Sequence, residues 1–143
     1  MVCVLSFFAK SQTITELNQL VNHWHLAASK ADLVAYSNPM SEKFVFLGTA
    51  PGERWKKEDF IIFSKPYFEK GKAWDFKPSN RFWEFNADST IAWFDEELDT
   101  WMKGCRGSGI MIKENGNWKI AYYNLTVLIE NEKIKPFIKL RSE

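Results

Sequence analysis

The sequence predicts an α+β fold in which helices come first along the chain and pack on one side of a curved antiparallel sheet. Three observations support this prediction. Apolar residues recur at helical spacing in the first part of the chain, and the pattern then changes to the two-residue alternation of strands. The dipeptide Asn115-Gly116 lies between two apolar segments, 106–114 and 118–128, which is the strongest short-range signal for a β-hairpin.

Length and composition limit the function classes. A chain of 143 residues can bury a core as one domain without disulfides or metal. The net charge of +1 gives no electrostatic basis for binding nucleic acid or an anionic membrane. The two cysteines, Cys3 and Cys105, and the two histidines match no zinc-site spacing, and we predict no metal or cofactor. The first ten residues lack the charged start of a signal peptide, and no segment approaches a membrane span of about 20 apolar residues. We therefore expect a single cytoplasmic domain, 1–143.

Three helices are predicted before the sheet. Thr13-Ile14-Thr15-Glu16 matches a capping box and predicts that the first helix begins at Thr13. Asp32 can cap a short second helix from residue 33 to about residue 37. The third helix is predicted from about 57 to 70, with a buried side formed by Phe60, Phe63, Tyr67 and Phe68.

Strands are predicted at 44–47, 74–85, with a bulge near Pro78, and 90–99, followed by the hairpin. A charged tail, 130–143, ends the chain. If Asn115-Gly116 forms the hairpin turn, strict alternation makes one face point to the helices, carrying Met111, Trp118, Ile120, Tyr122 and Asn124. The opposite face is also apolar and carries Ile110, Ile112, Ala121 and Tyr123. Because one layer of helices covers only one face, we predict a homodimer that buries the outer face.

The strand at 90–99 carries the carboxylates most relevant to chemistry. Alternation places Glu96 in the apolar row that faces the helices, where burial would raise the pKa of a carboxyl and suit it to acid or base catalysis. The alternative is that Glu96 pairs with Arg81, Arg106 or Arg54 and only holds the strands together. A register slip of one residue would turn Asp95 inward in place of Glu96.

Three other features have plainer interpretations. His23 and His25 lie at the margins of the first helix's apolar arc, which is typical of surface or boundary residues. Cys105 is interpreted as a buried, inert thiol. The glycines of Gly107-Ser108-Gly109 open a strand and do not lead into a helix, so we interpret them as leaving room for Tyr122.

Four segments together resemble the SnoaL-like domains of the nuclear transport factor 2-like superfamily. They are FLGTAPGERW at 46–55, AWFDE at 92–96, CRGSG at 105–109 and GNWKIAYYNL at 116–125. The resemblance covers about 13–129. It implies a cone-shaped α+β fold in which helices close one side of a curved sheet around a conical pocket. It also implies homodimers through the outer sheet face.

The resemblance leaves two functions open, because the superfamily contains both enzymes and binding modules. Its ketosteroid isomerases place a carboxylate base at the end of the first strand, where this chain has Leu47-Gly48, and a tyrosine donor near the position of Trp24. The first hypothesis is a domain that binds a small apolar or amphipathic ligand, and the second is an acid/base enzyme using Glu96 or Asp95 with an arginine partner. The predicted pocket is lined by Trp24, Arg54, Trp55, Phe63, Tyr67, Phe94, Arg106, Tyr122 and Asn124.

Overall fold

The computed structural model describes the backbone of residues 2–142 and the side chains of residues 10–142. The signal-peptide expectation rests on the first ten residues, of which Met1 and the side chains of residues 2–9, including that of Cys3, lie outside the described part, as does Glu143. The helices are α1 (Val2–Ser29), α2 (Leu33–Ser37), α3 (Lys57–Glu69) and α4 (Ile134–Leu140), and a short 3-10 helix, Asn131–Lys133, precedes α4. No helix in the residues described is long and apolar enough to cross a membrane.

The first helix begins earlier than the capping box predicts. α1 passes through Thr13 without a break, so the prediction that it begins there is wrong. A capping box acts only where the backbone enters the helix, and here the preceding turns are already helical. Within this helix the hydroxyl of Thr15 donates to the carbonyl of Ser11 at 3.1 Å, as a threonine inside a helix commonly does. The cap of α2 is confirmed, since the Asp32 carboxylate accepts the N–H of Ala35 at 2.9 Å.

Within residues 2–142, six strands form one curved, open sheet on which the helices pack. In chain order they are β1 (Met40–Leu47), β2 (Arg54–Lys56), β3 (Lys77–Phe85), β4 (Ile91–Thr100), β5 (Lys103–Glu114) and β6 (Asn117–Val127). Their order across the sheet is β2-β1-β6-β5-β4-β3, and neighbours are antiparallel except β1 and β6, which are parallel. The predicted α+β class is confirmed. The predicted strand at 74–85 begins only at Lys77, which leaves Trp74 and Phe76 in the connection from α3.

The predicted hairpin turn is confirmed, but its register holds only near the turn. Asn115 and Gly116 both have positive φ, 52° and 80°, as a type I′ turn requires. Pairing follows the prediction as far as Met111 opposite Ile120 and then shifts by one residue, so that Ile110 lies opposite Tyr122 and Gly109 opposite Tyr123. The extra residue in β6 is Ala121.

This bulge inverts the faces of the rest of β6. Tyr123 and Leu125 are buried against the helices, while the Asn124 amide contacts the Thr126 hydroxyl at 3.4 Å, on the other face. The predictions that Tyr122 and Asn124 face the helices and that Tyr123 belongs to the outer face are therefore wrong. Strict alternation fails here because one inserted residue moves every later side chain to the opposite face.

The alternation predicted for β4 is confirmed. Its inward positions are buried, and they are Ala92, Phe94, Glu96, Leu98 and Thr100. Asp95 and Glu97 are exposed on the outer face. The slip that would have turned Asp95 inward does not occur.

The core is built largely from aromatic rings, with Trp24 of α1 near its centre. The Trp24 indole stacks on Tyr36, with centroids 5.0 Å apart, and meets the ring of Tyr123 edge-on at 4.8 Å. Each aromatic pair of this kind stabilises the fold by roughly 0.5–1.5 kcal/mol beyond the contribution of the apolar area that it buries. At the C-terminus Phe137 of α4 is half-buried, whereas Ile134, Ile138 and Leu140 remain exposed.

Candidate functional site

A buried polar cluster centred on Glu96 joins α1 to three strands. Glu96 is 0% exposed, and its Oε2 accepts two hydrogen bonds from Arg81, from Nε at 2.9 Å and from Nη2 at 2.6 Å. Its Oε1 accepts from the Tyr123 hydroxyl at 2.8 Å and lies 2.7 Å from Nε2 of His25. Because an ionised carboxylate can only accept, His25 must carry a proton on Nε2.

The cluster extends outward through Asn18. The Asn18 side-chain oxygen accepts from Nη1 of Arg81 at 3.1 Å and from the indole of Trp83 at 2.9 Å. Arg81 can turn inward because the pairing of β3 with β4 shifts between Ser79 and Phe82. Bulges often re-aim a side chain in this way. The predicted bulge of this strand is present, two to three residues beyond Pro78.

The groups that contact Glu96 determine the direction in which its pKa shifts. Burial acts to raise the pKa of Glu96, but the hydrogen bond and charge of His25, the charge of Arg81 and the hydrogen bond of Tyr123 together outweigh it and hold the pKa below its ordinary value of 4.5. The raised pKa expected for an unpaired carboxyl is therefore not found. Of the three arginines considered as partners, Arg81 is the one that pairs.

Tyr123 stays protonated beside this carboxylate. Burial, followed by the charge and hydrogen bond of Glu96, raises the pKa of Tyr123 well above its ordinary value of 10.0. Its hydroxyl can reach Glu96 because Gly107 has no side chain. A Cβ at Gly107 would overlap the Tyr123 hydroxyl and lie 3.0 Å from Oε1 of Glu96. The interpretation that these glycines make room for Tyr122 is wrong. Gly107 leaves room for Tyr123, which the bulge turns inward, and Gly109 leaves room for the ring of Phe94.

The sequence interpretation also placed His25 wrongly, and it missed Asn18. His23 is exposed as expected, but His25 is only 4% exposed and contacts Glu96. The apolar arc of α1 is wide enough to include His25 because β3 and β4 cover the side next to Trp24. A usable signal was present: Asn18 and His25 are seven residues apart and therefore lie on the same face of the helix, two turns from each other.

A cavity of about 360 Å³ lies between β1, β2, α3 and the β4–β5 turn. Eight of its fourteen lining residues are aromatic: Phe46, Trp55, Phe60, Phe63, Tyr67, Trp74, Phe76 and Trp101. The others are Gly48, Thr49, Glu53, Ala73, Met102 and Leu125. Some of these rings stack in pairs: the ring centroids of Trp55 and Phe63 are 4.4 Å apart, and those of Phe46 and Phe60 are 4.3 Å apart.

Three residues of the predicted pocket line this cavity, namely Trp55, Phe63 and Tyr67. The other six do not: Trp24 and Phe94 are packed in the core, Tyr122 and Asn124 lie on the outer sheet face, and Arg54 and Arg106 are exposed. The prediction missed Trp74 and Phe76 because it assigned them to a strand. It missed Trp101 because nothing in the sequence links the β4–β5 turn to the end of β1.

The cavity and the Glu96 cluster are neighbours separated by aromatic rings. The ring of Phe76 lines the cavity and lies 6.3 Å from that of His25, and Phe46 stacks at 5.8 Å on Tyr123. Glu96 itself does not line the cavity. Within residues 10–142, no group of three His, Cys, Asp or Glu side chains is placed to hold a metal ion.

N-terminal helices packed on a curved, open sheet define the class of nuclear transport factor 2-like proteins, which have a cystatin-like fold. The sequence profile of the SnoaL-like domain matches residues 17–130. The chain therefore belongs to the SnoaL-like domain family. No protein with a curated description matches the sequence.

Similar solved structures come from several bacteria. An NTF2-like protein of unknown function from Pseudomonas putida KT2440 is 13% identical, with a TM-score of 0.70 over 86% of this chain and 92% of the other. A protein of unknown function with a cystatin-like fold from Nostoc punctiforme is 15% identical, with a TM-score of 0.66 over 80% of this chain and 90% of the other. An NTF2-like protein from Cytophaga hutchinsonii is 17% identical, with a TM-score of 0.65 over 80% and 97%. These likenesses show the fold alone.

Proposed function

We propose that this chain is a small-molecule-binding domain that holds a small apolar or amphipathic ligand in the aromatic cavity. The observation that carries the proposal is the cavity itself. Its volume of about 360 Å³ and its mainly aromatic lining suit a small ligand. Trp101, at its edge, is 81% exposed, and a ligand would cover apolar surface that otherwise faces water.

The Glu96 cluster supports binding more than acid/base catalysis. Glu96 is fully buried and accepts hydrogen bonds from three different side chains, so a proton transfer would disrupt a satisfied network. Asp95, the other acid considered, is exposed on the outer sheet face, away from the cavity. We therefore assign Glu96 to holding α1 against the sheet.

Filling the cavity should remove binding. The probe is N-phenyl-1-naphthylamine, a neutral apolar dye whose fluorescence rises when it leaves water. Ala73→Phe places a ring in the cavity, and we expect it to weaken the dye's affinity by roughly tenfold or more. Ala87→Phe makes the same change on an exposed turn and should leave the affinity unchanged. Circular dichroism verifies that both variants are folded. Equal affinity in both variants would place the dye elsewhere and contradict the proposal.

We further infer that two copies associate through the outer sheet face. Adjacent strands expose large apolar side chains there: Phe82 is 66% exposed, and Trp93, 45% exposed, lies opposite Ile110. Two copies related by a two-fold axis can bury this apolar patch against its own counterpart.

Light scattering during size-exclusion chromatography tests the association. The wild-type chain should elute as a dimer at micromolar concentration, and Trp93→Glu should elute as a folded monomer because it places a charge within the apolar patch. Trp101→Glu makes the same change at an exposed tryptophan on the cavity side and should remain dimeric. A monomeric wild type at micromolar concentration would end this inference.

A further inference from the structure

We propose that the cavity selects an organic cation, such as a substituted ammonium group on an apolar body. This inference rests on the proposed function and adds the charge of the ligand to it. Glu53 is the one charged side chain among the fourteen lining residues, none of which is Lys, Arg or His. The lining therefore presents a negative charge to a cationic ligand, and it presents no positive charge to a carboxylate ligand.

The Glu53 carboxylate is held in place but not neutralised. Its Oε2 accepts the N–H of Ala50 at 2.9 Å, and its backbone carbonyl accepts the N–H of Gly48, also at 2.9 Å. A Cβ at position 48 would overlap Oε2 of Glu53, so the loop needs glycine at this point. Across residues 10–142, Glu53 takes part in no ion pair, which leaves its charge available to a ligand.

The aromatic lining is suited to the same kind of ligand. A cation within about 6 Å of an aromatic ring is attracted by the negative face of the ring, and tryptophan binds it best. Trp55, Trp74 and Trp101 all line the cavity together with Glu53. Lys70 lies 6.0 Å from the ring centre of Tyr67 but does not line the cavity, and it forms no ion pair with Glu53.

Charge and size together define the ligand class. Partial removal from water strengthens the attraction between a cation and Glu53 relative to bulk solvent. A volume of about 360 Å³ admits a quaternary ammonium ion that carries one aromatic ring. A neutral molecule of the same shape would fill the same space but gain nothing from Glu53.

Three probes that compete with N-phenyl-1-naphthylamine test the charge preference. They are benzyltrimethylammonium, neopentylbenzene, which has the same shape without the charge, and 3-phenylpropanoate, which is an anion. We expect the cation to bind roughly tenfold more tightly than the neutral probe at low salt, and the anion to compete least. Glu53→Gln should weaken cation binding by roughly tenfold and leave neutral binding unchanged. Glu58→Gln removes an exposed charge on α3 outside the cavity and should change neither.

Trp101→Leu provides a second variant that does not alter the Glu53 loop, and it should weaken the cation more than the neutral probe. If the dye binds in the cavity but the neutral probe competes as well as the cation, the cation preference is wrong and the binding function stands. If the anion competes best, the preference is likewise overturned. If neither the dye nor any probe binds, the proposed function fails, and the cation preference fails with it.

Discussion

Replacing Glu96 by glutamine should lower the free energy of unfolding by about 3–5 kcal/mol, the usual cost of breaking a buried ion pair from one side. Glutamine keeps the size of the side chain but removes its charge and turns one acceptor into a donor. Arg81 would then be a buried cation without its partner, and the amide would meet donors from His25, Tyr123 or Arg81 itself. Urea unfolding followed by circular dichroism measures the change.

Asp95→Asn is the matched control for this experiment. Asp95 precedes Glu96 on the same strand but is exposed on the outer face, so its substitution should change the free energy of unfolding by less than about 0.5 kcal/mol. Similar stability in Glu96→Gln and the wild type would show that the buried cluster does not hold α1 to the sheet.

The unfolding free energies of the wild type and Glu96→Gln should become more similar in acid. The pKa of Glu96 in the folded chain lies below its ordinary value of 4.5, so the unfolded chain binds the proton more readily. The stabilisation is therefore complete above this ordinary value and is lost as the pH falls through the folded-state pKa. The difference in stability between wild type and Glu96→Gln should therefore shrink as the pH falls below about 4.5.

Gly107→Ala should also be strongly destabilising, by more than about 2 kcal/mol. The added methyl group would overlap the Tyr123 hydroxyl, and Tyr123 is buried in the core, so the ring cannot withdraw without disturbing Trp24 and Phe46. The hydrogen bond to Glu96 would be lost at the same time. Thermal or urea unfolding measures the effect.

β5 supplies its own control at Gly104. A Cβ at Gly104 meets no atom within 4 Å, so Gly104→Ala should change the free energy of unfolding by no more than about 0.5 kcal/mol. If the two alanine variants are equally stable, Tyr123 does not lie against β5 as described.

The sequence could predict those parts of the fold that follow from local pattern. Alternation in β4 placed Glu96 correctly, Asp32 was recognised as the cap of α2, and Asn115-Gly116 predicted its turn. It could not predict the bulge at Ala121, and it indicated a bulge in β3 without indicating that Arg81 would turn inward there. A bulge re-aims a side chain, and here Tyr123 and Arg81 both reach Glu96 through contacts that no local pattern in β6 or β3 indicates.

The cavity was predictable only in part for a similar reason. Trp55 belongs to a segment on which the resemblance rests, and Phe63 and Tyr67 belong to the buried side that apolar spacing predicts for α3. Trp101 and Leu125 belong to segments that meet the same space only after the whole sheet has formed. A pocket built from four distant segments leaves no periodic signal in any one of them.

The signals of the seven tryptophan indoles test ligand binding in the cavity most directly. In a ¹H–¹⁵N spectrum each indole N–H gives one resonance, assigned by single Trp→Phe substitutions. Adding N-phenyl-1-naphthylamine should shift the resonances of Trp55, Trp74 and Trp101, which line the cavity, and leave Trp93 and Trp118 in place. Shifts at Trp93 without shifts at the three cavity tryptophans would place the ligand on the outer sheet face and contradict the account.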